Sequence, residues 1–348
     1  MHQSGYHTEP WPIVLAKKLQ IARAMRLAQR RGAIIVSYHG VIADRDWQEW
    51  ETSDMVAESI FLQHLELFRK YYQVIPLRNL VAGLQDDEKL PPRALAITFD
   101  DGYRNNLQYA VPALKEYGLA ATFFLTTDFL DGTDELWWLP VKRYVMMCQR
   151  QGNTCDVSNL GKFSVVSKAE SGRSYQKILA KLKELPEQQR KKIVETMRNE
   201  LSETSYLLND VYKAMTWSDA KNIINAGMEV GAHSVSHTIL AQESEEKIKQ
   251  EVLDSVGRIK EELNMETIPF SYPDGQKENC RQSIKTIVQQ TGCYTGLMNF
   301  SGVNRKGDDL FELRRFPVGG HHTPVRLELD LCGLRALKER LADVFRPA

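Results

Sequence analysis

Short apolar runs alternate with amphipathic helical stripes through most of the chain, which predicts an α/β domain built on parallel strands with right-handed crossovers. Two further observations complete the outline. The alternation stops near residue 129 and resumes at Thr216, so a mostly charged, helix-rich segment is inserted into the domain. Several strand exits carry unusual polar groups, Asp100-Asp101, His39 and His233 with His237.

Taken in order, Ala33–Val36 is a short apolar strand running into Ser37-Tyr38-His39-Gly40-Val41. Residues 58–72 carry Phe61, Leu65 and Phe68 on one helical stripe, and Gln73–Leu77 is the next strand. Pro91-Pro92 marks a connection before Ala94–Phe99, whose apolar run with a β-branched and an aromatic residue reads as a strand buried on both faces. Leu107, Val111 and Leu114 give a helix with Pro112 in its first turn and Gly118 at its end. Ala120–Leu125 is a further buried strand.

Within the insertion, Ile178, Leu182 and Leu185 form one helical stripe and Ile193, Met197 and Leu201 another, with Pro186 placed to begin the second. Trp137 and Trp138 either stack on a sugar ring or anchor the insertion to the domain. Alternation resumes with Thr216-Trp217-Ser218-Asp219, which has capping-box spacing, and that helix ends at Gly227. Met228–Val230 is a strand leading into His233 and His237. Ile248, Val252, Val256, Ile259 and Leu263 trace a long helix. Pro269–Gly275 is strand then turn, Ser283–Gln290 a helix, and Tyr294–Met298 and Leu313–Val318 are strands. A C-terminal helix carries Leu327, Leu331, Leu334 and Leu341. The expected organisation is a basic helix over 1–32, the domain over 33–128 and 216–320, a helical insertion over 129–215, and the C-terminal helix over 321–348.

The chain has 348 residues, 43% of them apolar, which is ample for a large core. Its 45 basic and 45 acidic side chains balance, giving no reason to expect nucleic acid as a partner. Five scattered cysteines without a CxxC pair indicate neither a zinc ribbon nor a disulfide framework. The first 30 residues lack the apolar run of a secretory signal, and no window is long and apolar enough to span a membrane, so a cytoplasmic protein is expected. Between Glu9 and Asp44 only basic charges occur. Arg23, Arg26 and Arg30 share one helical face, which suits either a solvated helix or peripheral contact with anionic headgroups.

The chemistry centres on Ala94–Tyr103. Asp101-Gly102 alone is a turn signal, but adjacent buried carboxylates cost free energy unless a cation or a proton answers their charge. His233 and His237, four apart, share one face if their segment is helical and can then reach one ion. Two imidazoles and a carboxylate with open positions form the ligand set of catalytic zinc sites. The second aspartate is then free to act as a base.

At this point the sequence resembles the polysaccharide deacetylase family, the NodB-homology domain or carbohydrate esterase family 4. Thr98-Phe99-Asp100-Asp101-Gly102 is similar to its first motif, His233–His237 to its second, and Phe270–Gly275 to a variant of its third. The resemblance spans about 33 to 320 outside the insertion. It implies a distorted (β/α) barrel, and the removal of an N-acetyl group from an amino sugar of a polysaccharide, oligosaccharide or lipid-linked precursor. It further implies one divalent ion, usually Zn2+, on Asp101, His233 and His237, with Asp100 as general base. The third motif's oxyanion-binding backbone N–H falls at Asp274, where the family has tyrosine, and Tyr103 and Tyr272 are expected beside the substrate. Ser271 stands where the family often has a base-orienting arginine, and Arg315 resembles the arginine that some branches place near the site. The usual late Leu-x-His motif is not evident. The segment around His39 resembles the early histidine motif of poly-N-acetylglucosamine deacetylases, making His39 the expected general acid, with His321 and His322 as rivals. O-deacetylation and deformylation would use the same groups. A non-haem iron enzyme and an inactive sugar-binding module are the readings of other classes.

Overall fold

The computed structural model describes residues 32–50, 54–86, 90–152, 154–201, 211–279 and 281–333. The basic N-terminal segment with Arg23, Arg26 and Arg30, and Leu334 and Leu341 of the C-terminal helix, lie outside the described residues. No described helix is long and apolar enough to cross a membrane.

The strands are β1 (Ala33–Tyr38), β2 (Gly40–Ile42), β3 (Met55–Ala57), β4 (Gln73–Val74), β5 (Ala94–Phe99) and β6 (Ala121–Leu125). They continue as β7 (Thr154–Val157), β8 (Gly161–Ser164), β9 (Glu229–Ala232), β10 (Phe270–Ser271), β11 (Gly296–Leu297) and β12 (Phe316–Pro317). An eight-stranded sheet runs β11-β10-β9-β6-β5-β1-β12, with β4 paired to β5 off this path, and every pairing in it is parallel. The sheet curls into a half-barrel, the α/β arrangement expected. β5 lies at its centre: β1 pairs along its whole length from Ala33↔Ala94 to Tyr38↔Phe99, while β4 and β6 share its other edge.

Side-chain alternation along β1 and β5 sorts the core. Ile34, Val36 and Tyr38 with Leu95, Ile97 and Phe99 pack among Phe61, Leu65, Phe68, Val111 and Leu114 of the covering helices. Ala33, Ile35, Ala94 and Ala96 face the other way and meet Phe124, Leu297 and Leu313. Strands far apart in the sheet order meet there, so this is the concave interior. Continuing the same alternation places Thr98 and Asp100 on the interior side at the strand's exit.

The segment before β12 joins the two ends of the sheet. Leu313 bridges Leu297 on β11, and three residues later Phe316 pairs with Val36 on β1. Arg315 sits at this seam.

Several strands are shorter than their apolar runs suggest. The runs at 73–77, 269–275 and 313–318 contain Pro76, Pro269, Pro273 and Pro317, and proline has no N–H for a ladder. The helix expected around Leu107 begins as a π-helical turn, Asn106–Ala110, before Val111–Glu116. The capping box forms as read, Asp219 N donating to Thr216 Oγ1 at 3.1 Å and Thr216 N to Asp219 Oδ2 at 3.0 Å.

The inserted stretch is not helical throughout. The antiparallel hairpin β7–β8 separates helix Trp138–Gln151 from helix Lys168–Lys183, and a short connection at Pro186 leads to helix Glu187–Glu200. Alternation in the hairpin turns Cys155, Val157 and Phe163 inward. They pack with Val145, Ile178, Leu182 and Met197 in a small core of their own.

On β9, a Cβ added at Gly231 would meet the Phe124 ring at 2.5 Å and the Pro269 carbonyl at 2.7 Å. Gly231→Ala is expected to destabilise the protein by about 1–3 kcal/mol through overpacking. Urea denaturation checks this, and a midpoint equal to wild type would show that the interior has room.

Candidate active site and metal centre

β5 delivers two aspartates whose surroundings differ completely. Asp100 and Asp101 are 2% and 1% exposed. The Asp100 N–H continues the β5–β1 ladder by donating to Tyr38 O at 2.9 Å. Its carboxylate takes a bidentate pair of bonds from Arg315, Nη1 to Oδ1 and Nη2 to Oδ2, each 2.8 Å. Arg315 is itself fully enclosed and makes three further bonds. Nε donates to Met298 O at 2.7 Å, Nη1 to Thr98 Oγ1 at 3.2 Å and Nη2 to Ser271 Oγ at 2.8 Å. Five donors meet five acceptors, which is what a buried guanidinium requires. Burial raises the Asp100 pKa, but the charges of Arg315, His233 and His39 outweigh it and hold the carboxyl below its ordinary value.

Asp101 turns the other way. It has φ 77° and Gly102 φ 90°, so the backbone is indeed a turn. That turn lifts the Asp101 carboxylate between two imidazoles, with Oδ1 3.5 Å from His233 Nε2 and 3.4 Å from His237 Nε2. Neither carboxylate oxygen has a hydrogen-bond partner. Burial raises its pKa, and the two imidazoles together with the His39 charge more than reverse this, leaving the group well below the usual carboxylate range.

The His233–His237 segment is a loop rather than the helical turn that would put both rings on one face. Ser234 and His237 have φ 62° and 55°, and this left-handed path brings the ring centroids to 4.7 Å. His233 is anchored at both ends: its N–H donates to Leu125 O at 2.9 Å, and Nδ1 lies 2.8 Å from Ser271 O. A carbonyl only accepts, so Nδ1 carries a proton and Nε2 is the ring atom turned toward Asp101. With that Nε2 deprotonated, two acceptors face each other unless a cation lies between them.

Asp101, His233 and His237 offer ligand atoms within 4.8 Å of one another, all buried. The unpartnered carboxylate, the opposed lone pair and the N2O donor set together fit a divalent cation with open coordination positions.

His39 is half-buried at the exit of β1, and its backbone carbonyl accepts from Asn106 Nδ2 at 2.9 Å. An imidazolium at His39 would lie close enough to lower the pKa of both aspartates. His322 is engaged elsewhere. Gly319 N donates to its Nδ1 at 3.0 Å, Asp330 lies 3.4 Å from Nε2, and its carbonyl is 2.8 Å from His64 Nε2. His321 is exposed and stacks against it at 4.0 Å.

Tyr103 is enclosed among Phe129, Tyr212 and Trp138, whose Nε1 donates to the Tyr103 hydroxyl at 3.3 Å. Tyr272 is buried, and its hydroxyl donates to Phe311 O at 3.0 Å. The Asp274 carboxylate is occupied by Lys183 from the inserted stretch and by Asn279 Nδ2 at 2.8 Å.

One residue that sequence reasoning missed is Glu251. Fully buried, it accepts from the N–H groups of Val235 and Ser236 at 3.0 and 2.9 Å and from Ser236 Oγ at 2.8 Å, with Lys247 2.9 Å away. It therefore shapes the histidine loop. Its signal was present: position 251 lies one turn after Ile248 on the apolar stripe, where an acid has no reason to be unless it is bonded.

The parallel half-barrel gathers paired aspartates and two histidines at its strand exits, a site suited to metal-assisted hydrolysis. The sequence profile described as polysaccharide deacetylase matches residues 87–161 and 174–295, and the chain belongs to the polysaccharide deacetylase family. It is 33% identical over 92 residues to YxkH of Bacillus subtilis strain 168, a protein named for the same family, a stretch covering 26% of this chain and 30% of YxkH. In fold it is similar to the Streptococcus pyogenes deacetylase PplD, with a TM-score of 0.57 and 16% identity over 86% of this chain and 98% of that one. IcaB from Ammonifex degensii is likewise similar, with a TM-score of 0.55 and 16% identity over 87% and 97% of the two chains.

Removing Arg315 strands a buried carboxylate. Arg315→Met is expected to cost roughly 3–5 kcal/mol in urea unfolding, and Arg315→Lys to recover little because an ammonium lacks the planar fork. A loss below about 1 kcal/mol, the range of an exposed ion pair, would show that the pair is not the buried anchor described.

Proposed function

We propose that this protein is a metal-dependent hydrolase that removes an N-acetyl group from an amino-sugar unit of a glycan or of its lipid-linked precursor. Asp101, His233 and His237 would hold one divalent cation, with zinc favoured by the donor set. The observation that carries the reading is the buried Asp101 carboxylate with both oxygens unpartnered between two imidazoles. Family membership supplies the reaction class.

When bound, the cation polarises the acetyl carbonyl and makes water nucleophilic near neutral pH. Asp100 takes the proton from the attacking water. Its bidentate hold on Arg315 keeps it ionised and fixed in direction, and each of its oxygens retains a second lone pair for that proton. His39, on the β1 side, protonates the departing amine. The Asp274 backbone N–H serves the developing oxyanion, and Lys183 and Asn279 engage the Asp274 carboxylate, which supports a negative charge turned aside. Tyr103 and Tyr272 shape the wall behind the substrate. The run of basic residues before Ala33, with no acid between Glu9 and Asp44, supports a substrate presented near anionic headgroups, a setting consistent with a cytoplasmic step on a lipid-linked sugar.

The aspartates should fail differently. Asp101→Ala is expected to lose bound metal by elemental analysis. Asp100→Asn is expected to keep the metal while acetate release from N-acetylglucosamine oligomers falls about 10²–10⁴-fold. An Asp100→Asn enzyme of wild-type rate would contradict the assigned base.

A further inference from the structure

The two histidines are supported in different ways. A metal-binding histidine ordinarily donates its second ring N–H to a carbonyl or carboxylate, which fixes the ring and strengthens it as a ligand. His233 has such a partner in Ser271 O. His237 does not: its Nδ1 is buried with no hydrogen-bond partner. Against that ring stands the indole of Trp138, with centroids 4.5 Å apart and planes at 74°, an edge-to-face contact. Trp138 is held in turn by its bond to the Tyr103 hydroxyl and by edge-to-face packing on Trp137 at 5.5 Å.

Trp138 opens the first long helix of the inserted stretch, and its contact is one of three on successive residues. Glu187 faces Ser236 Oγ at 3.4 Å, and Arg190 Nη2 donates to Thr238 Oγ1 at 3.2 Å. The inserted stretch thus touches the residue before His237, His237 itself and the residue after it.

We infer that Trp138 is a positioning residue for His237, its indole packed edge-to-face on an imidazole whose Nδ1 has no hydrogen-bond partner, so that the inserted stretch sets the metal affinity of the site. The inference rests on the metal-binding role proposed above for Asp101, His233 and His237. An aromatic face attracts the positively polarised edge of an imidazole, and a cation at Nε2 strengthens that polarisation. The indole N–H is already given to the Tyr103 hydroxyl, which leaves the ring itself as the feature that acts on His237.

The test compares Trp138→Phe, which keeps a ring face, with Trp138→Leu, which keeps only apolar volume. Zinc affinity is read by competition with a chromophoric chelator, and ligand geometry by the visible spectrum of the cobalt(II)-substituted protein. Trp138→Leu is expected to bind zinc about 10–100-fold more weakly, the range for lost support of a ligand, with a changed cobalt spectrum. Trp138→Phe should stay within about threefold of wild type. If Trp138→Leu does not fold, Trp138→Met fills the space and carries the same comparison. Wild-type zinc affinity and an unchanged cobalt spectrum in the leucine or methionine variant would overturn the inference. So would an equal loss in Trp138→Phe, which would assign the effect to the indole N–H. Should wild-type protein itself take up no zinc, the proposed metal site fails and this inference falls with it.

Discussion

Two buried carboxylates leave one strand in succession, and the interior cannot hold both charges without separate compensation. Asp100 is answered within the chain by Arg315, whose five donors are all used. Asp101 meets no arginine or lysine among the described residues, and a dication between it and the two imidazoles would more than offset its charge. The division follows from backbone geometry. Asp100 continues the β5 ladder and meets Arg315, while Asp101 enters a left-handed turn and meets His233 and His237.

Other features of the fold serve these two destinations. The seam that connects β11 to β1 carries Arg315, and Thr98, Ser271 and Met298 from three neighbouring segments fix its fork. Gly231, with Phe124 beneath it, lets β9 approach closely enough to present His233. Glu251 gathers the N–H groups of the following loop and so decides its path to His237. Lys183 draws the Asp274 carboxylate to the inserted stretch, which therefore touches both the histidine loop and the third-motif loop.

Much of this was legible in the sequence because it depends on local pattern. Apolar runs of period two and stripes of period 3.6 marked the strands and helices, and the capping box at Thr216 formed as read. The paired aspartates and spaced histidines were visible as residue types that a buried strand exit does not tolerate idly. What escaped depends on tertiary approach. The histidine loop is not helical, since Ser234 and His237 adopt positive φ that no spacing rule reveals. The β7–β8 hairpin was missed because its two strands have only four residues each amid charged helices. Bonds such as Arg315 to Ser271, 44 residues apart, and Arg315 to Asp100, 215 apart, leave no local periodicity. The arginine expected to stand in for the one absent at Ser271 does reach Asp100, and it arrives from the seam.

The account turns on whether a cation occupies the space that Asp101, His233 and His237 enclose. Diffraction from crystals of protein grown with zinc, recorded above and below the zinc absorption edge, examines this directly. One anomalous peak at coordination distance from the Asp101 carboxylate and both Nε2 atoms is predicted, with the Asp100–Arg315 pair intact beside it. Density without such a peak, and with Asp101 hydrogen-bonded to protonated imidazoles instead, would contradict it.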